Sequence, residues 1–74
     1  MNITVSQHGK KIIAEFHYGK SMNKYLLDKA EDFLVTIDRF IMKRKISSIG
    51  HIEFHNTGIL TERIIRAIIA GLRF

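Results

Sequence analysis

Cysteine, proline and tryptophan are all missing from this 74-residue sequence, and the first two absences each remove a class of solutions. Without thiols there is no disulfide, no CxxC metal site, no redox pair and no cysteine nucleophile, so a domain this small must hold by tight packing or by association. Without proline, and with only five glycines, nothing marks an internal linker, and residues 1–74 read as one domain with one core. No run approaches about 18 uncharged apolar residues, the least a membrane helix needs. The start, Met1-Asn2-Ile3-Thr4, is not a basic segment leading into an apolar one, so a cytoplasmic protein is expected.

What is present is a foldable and basic composition. Apolar residues make up 46% of the chain, too rich in Ile, Leu and Phe for a disordered tail. Twelve Lys and Arg against seven Asp and Glu give a net charge of +5, a surplus that suits polyanionic partners.

Hydrophobic spacing orders the chain. Ile3–Ser6 and Ile12–His17 read as strands joined through Gln7–Lys11; a turn at His8-Gly9 would set Val5 opposite Ile12 and Ile3 opposite Ala14. From Met22 to about Lys45, the residues Met22, Leu26, Ala30, Phe33, Leu34, Ile37, Phe40 and Ile41 recur at three and four, which predicts one long helix of about six turns with Ser21 as its N-cap. Lys43-Arg44-Lys45 suits the negative end of that helix. Ile49–His55 alternates as a half-buried strand, and a second helix is expected from about Leu60 to Leu72, with Arg63, Arg66 and Arg73 on its polar side.

The expected architecture is therefore α+β in the order β-β-α-β-α, a three-stranded sheet with two helices packed on one face. Phe33, Ile37, Phe40, Ile52, Phe54, Ile64 and Ile68 form the expected core. Thr4, Ser6, Glu15, His17, His51, Glu53 and His55 fall on the open, polar face. A sheet covered on one side, with a wide apolar arc on the last helix, points to self-association as a homodimer.

Chemistry-bearing patterns are sparse. His51, Glu53 and His55 stand at i, i+2 and i+4 with Glu15 and His17 nearby, an arrangement that permits a metal. A wet strand face carries the same residue types, no helical HxxxH motif supports a ligand set, and no metal or cofactor is assigned. There is no Ser/His/Asp ordering and no glycine-rich phosphate loop, so no enzyme and no small-molecule substrate are expected. The basic residues are better organised. Lys10 and Lys11 lie at the hairpin, Lys20 and Lys24 at the start of the long helix, and Arg63 and Arg66 at the start of the last one. Helix N-termini add free N–H groups that suit phosphate oxygens. Gly19-Lys20-Ser21 and Asn56-Thr57-Gly58 would be two strand-to-helix loops at the same edge of the sheet.

At these loops the chain resembles the Alba family of small basic DNA- and RNA-binding proteins. The family pattern runs from a strand through Gly-Lys-Lys-Pro-x-Met-Asn-Tyr into a helix; the matching stretch here is Gly19-Lys20-Ser21-Met22-Asn23-Lys24-Tyr25. A later strand, loop and helix match Ile52 to Ile65, and the likeness extends from about Ile12 to Phe74. The resemblance implies a homodimer that binds DNA or RNA, with Lys20 in the place of a loop lysine that contacts nucleic acid and Arg63 in that of a second-helix lysine. The chain departs from the pattern in the missing second lysine and proline, in Thr57 where the family has arginine, in an extra N-terminal strand, and in ending at Phe74 where the family continues into a β-hairpin. The leading expectation is a non-enzymatic, sequence-tolerant nucleic-acid-binding protein, with Lys10, Lys11, Lys20, Lys24, Arg63 and Arg66 on phosphates. The alternative is a protein-interaction or assembly module without nucleic-acid activity.

Overall fold

The computed structural model describes residues 1–72; Arg73, expected on the polar side of the last helix, lies outside them. The elements are β1 (Asn2–His8), β2 (Lys11–Tyr18), β3 (Ser21–Leu27), α1 (Asp32–Arg44), β4 (His51–His55) and α2 (Ile59–Gly71). They build one mixed sheet in the order β3-β2-β1-β4, with β1 parallel to β4 and the other neighbours antiparallel. The fold is thus α+β with two helices, but it has four strands in the order β-β-β-α-β-α, and the expected three-stranded β-β-α-β-α arrangement is corrected.

The correction lies in Met22–Leu27. Met22 and Leu26 continue the helical spacing of Phe33 and Ile37, yet both are exposed in a strand, at 53% and 64%. Strand formation wins because β3 pairs with β2 along its whole length, from Ile12↔Leu27 to Tyr18↔Ser21, and so satisfies the backbone groups that β2 would otherwise leave open. Alternation then turns Asn23, Tyr25 and Leu27 toward the helices. The helix starts only after the Asp28–Glu31 turn. Its N-cap position is Glu31, not Ser21, and the Asp32 carboxylate accepts a bond from Lys29 N–H at 3.3 Å. With 13 residues, α1 makes fewer than four turns.

Both tight hairpins use the same device. Gly9 (φ 63°) and Gly19 (φ 61°) precede Lys10 and Lys20 in two-residue loops, the position where a type II′ turn calls for glycine. The first turn is Gly9-Lys10, and the register sets Val5 opposite Ala14 and Ile3 opposite Phe16, two residues from the expected pairing. A two-residue shift preserves the face, so the expected polar side survives: Lys24, Glu15, Thr4 and Glu53 form one row across it.

The core lies between the sheet and the helices. Ile3, Val5, Ile12, Ala14 and Phe16 meet Phe33, Ile37, Phe40 and Ile65, all essentially without solvent contact. Phe16 is the hub, with ring centroids 4.8 Å from Phe40, 5.3 Å from Tyr25 and 5.9 Å from Phe33. Each fully buried side chain of this size contributes about 1.5–3 kcal/mol. Phe33, Ile37 and Phe40 are buried as expected, whereas Ile52, Phe54, Ile64 and Ile68 are only half-buried. Those four belong to the lateral strand β4 and to α2, which places only Ile65 fully inside.

Candidate functional site

Strand directions define two ends of the sheet. At the Lys10 end lie the β1–β2 turn, the β3–α1 connection and the β4–α2 connection; at the Lys20 end lie the β2–β3 turn and the C-terminus of α1. The six expected phosphate contacts therefore do not converge. Lys10, Lys11 and Arg63 are exposed at or near one end, Lys20 is exposed at the other, and Lys24 stands on the open face opposite Glu15. The loop carrying Lys20 is a hairpin turn and not a strand-to-helix loop, so it does not share an edge with Asn56-Thr57-Gly58.

Two of these cations are already engaged. Lys11 Nζ is 2.9 Å from Asp28 Oδ1; this hydrogen bond, with the lysine charge behind it, holds the Asp28 carboxyl below its ordinary value. Arg66 lies 3.4 Å from Glu62 and stacks 4.7 Å over the Phe54 ring. The Lys10 end also carries Asp28, Glu31, Asp32 and Glu62, so its charge is mixed.

The Lys20 end is more one-sided, with Asp38 as the one acidic residue in the last two turns of α1. Arg39, Lys43, Arg44 and Lys45 occupy the last two turns and the cap of α1, and none of them, nor Lys20, forms a salt bridge among the described residues. Lys45 takes the left-handed conformation (φ 52°), and the cap N–H bonds back to Ile41 O. The sequence places Lys43, Arg44 and Lys45 at the negative pole of a helix, where capping accounts for them. Their other property emerges only once β3 is a strand: Asn23 and Tyr25 then lie beside the same stretch of α1.

Between them is a groove of about 420 Å³, within the range of small-ligand sites. Asn23 and Tyr25 line it from β3, and Val35, Thr36, Arg39, Phe40, Lys43 and Arg44 from α1. The lining holds three cations and no carboxylate. The Arg44 guanidinium sits 4.3 Å from the centre of the Phe40 ring, and the Thr36 hydroxyl donates to Asp32 O at 3.0 Å. The Asn23 amide nitrogen is shielded from solvent and has no acceptor, a condition that costs about 1–3 kcal/mol. Asparagine is also a poor strand former. Neither property is explained by the fold.

On the open face, His51 and His55 each approach Glu53 at 3.2 Å. Hydrogen bonds from His55 and then from His51 hold the Glu53 carboxyl below its ordinary value. Among the described residues, no three His, Cys, Asp or Glu side chains are grouped to hold a metal ion, and no helix is long and apolar enough to cross a membrane. Compared with known proteins, the chain matches no family model, no curated protein and no solved structure.

Proposed function

We propose that this protein is a cytoplasmic, non-enzymatic nucleic-acid-binding protein that holds the phosphate backbone at the Lys20 end of its sheet. The observation that carries the reading is the cluster Arg39, Lys43, Arg44 and Lys45, free of carboxylate partners among the described residues. Lys20 lies at the same end. Unpaired cations on one end form the electrostatic footprint that phosphate binding requires. The support is this placement and not the Alba-like motif, since Gly19–Tyr25 is a turn and a strand where that family opens a helix. Lys10 and Arg63 provide a second, weaker attraction of mixed sign at the far end.

The reading includes a homodimer. β4 is one lateral strand of the sheet, and no strand lies beyond it among the described residues. Its sequence, His51-Ile52-Glu53-Phe54-His55, is nearly the same in both directions. A second copy can pair antiparallel about Glu53, with Ile52 of each copy opposite Phe54 of the other and the two Glu53 carboxylates facing each other between His51 and His55. Sedimentation at micromolar concentration tests this part; a mass of one chain, 8.6 kDa, with no concentration dependence removes it.

Amide chemical-shift mapping with a short RNA tests the reading as a whole. Shifts concentrated at residues 20–25 and 39–45 support it. Shifts confined to Ile59 and Leu60, exposed at 81% and 71%, on titration with proteins but never with nucleic acid would favour the assembly module.

A further inference from the structure

Phosphate attraction alone leaves the groove and the orphaned Asn23 amide unexplained, and the two stand together. We infer that the groove between β3 and α1 is a nucleotide pocket: it takes one unstacked, phosphate-bearing nucleotide of a single strand. The inference rests on the nucleic-acid reading and narrows it to single strands.

Three features of the groove fix the ligand class. Its charged lining, Arg39, Lys43 and Arg44, is wholly cationic, so the ligand carries negative charge, and arginine forks suit phosphate oxygens. Its apolar lining is the half-buried Tyr25 and the exposed Val35, with Phe40 buried beneath Arg44, so a bare inorganic anion would leave Tyr25 and Val35 uncovered, whereas a planar base covers them. Asn23 supplies the third feature. Its shielded nitrogen has no acceptor within the described residues. Turning the amide about its last torsion presents that donor to the groove, where it and the carbonyl oxygen can pair with a base edge. Thr36 can only accept, since its proton is engaged by Asp32 O. A base stacked and paired within a duplex cannot enter, so the pocket selects single strands.

The full chain is titrated with adenosine monophosphate and with inorganic phosphate while the Asn23 side-chain amide is followed by NMR. In parallel, anisotropy measures a labelled single-stranded RNA and the duplex formed from it. The nucleotide is expected to shift the Asn23 amide and inorganic phosphate to leave it in place. The single strand is expected to bind about tenfold tighter than the duplex, the scale of one stacked base. Asn23→Leu should abolish the preference for the single strand while melting at the same or a higher temperature, because it removes the orphaned donor and keeps the branched shape. Equal affinity for single strand and duplex, or an unchanged preference in Asn23→Leu, overturns the pocket and leaves the nucleic-acid reading intact. A nucleotide that shifts Asn23 when no polynucleotide binds upholds the pocket as a free-nucleotide site and ends the polymer reading. Silence in both titrations overturns both.

Discussion

The Arg44 guanidinium lies 4.3 Å from the centre of the Phe40 ring, so one face of a core aromatic is covered by a cation that also lines the groove. The stack fixes a long side chain in advance and lowers the entropy lost when it meets a phosphate. Arg44→Lys keeps the charge but loses the planar stack. We expect it to keep the salt dependence of binding while lowering affinity and to cost about 0.5–1 kcal/mol in stability. Chemical denaturation and an RNA titration of the same variant measure the two effects separately.

At Gly19 (φ 61°) an added Cβ would meet no atom within 4 Å, so the only cost of a side chain is backbone strain. Gly19→Ala should lose about 1–2 kcal/mol, and Gly19→Asn clearly less, because asparagine visits the left-handed region more readily. Equal losses in thermal melts would mean that the turn relaxes into another conformation. A loss near zero in both would mean that the β2–β3 hairpin does not need this conformation.

Much of the fold is legible in the sequence, and the missing fourth strand has one cause. The Ile12–His17 and His51–His55 alternations, the polar sheet face and both helix C-terminal regions follow from periodicity. Met22–Leu27 does not, because Met22 and Leu26 satisfy a helical spacing while Tyr25 and Leu27 satisfy a strand spacing over the same six residues. Local pattern leaves both open, and the choice is made by β2, whose outer edge needs a partner. A signal was available: Gly9-Lys10 and Gly19-Lys20 stand ten residues apart, each after a run of strand-forming residues. The candidate site inherits the error. Lys43, Arg44 and Lys45 were visible as helix-ending charges, but a groove shared by Asn23 and Arg39 has no expression in sequence until β3 is paired.

Glu53 gives the protein a pH signature. Its folded pKa is lowered by hydrogen bonds from His55 and His51, so its contribution is complete above the ordinary glutamate value of about 4.3 and is lost as pH falls through the lower folded value. Glu53→Gln removes the contribution. Melting temperatures of the two proteins should differ at neutral pH and converge in that acid window; a constant difference across it would show that the carboxylate's charge is not what matters.

The most direct test is the salt dependence of nucleic-acid binding. Each neutralised phosphate contributes about 0.9 to the slope of log affinity against log salt on a duplex and about 0.7 on a single strand. Binding of a single-stranded RNA should weaken steeply with salt, and the Arg39→Ala, Lys43→Ala double variant should lower the slope by about 1.4. A Lys10→Ala, Arg63→Ala control should change it far less. A slope that stays unchanged when Arg39 and Lys43 are removed, or that falls with Lys10 and Arg63 instead, would contradict the placement of the site at the end of α1.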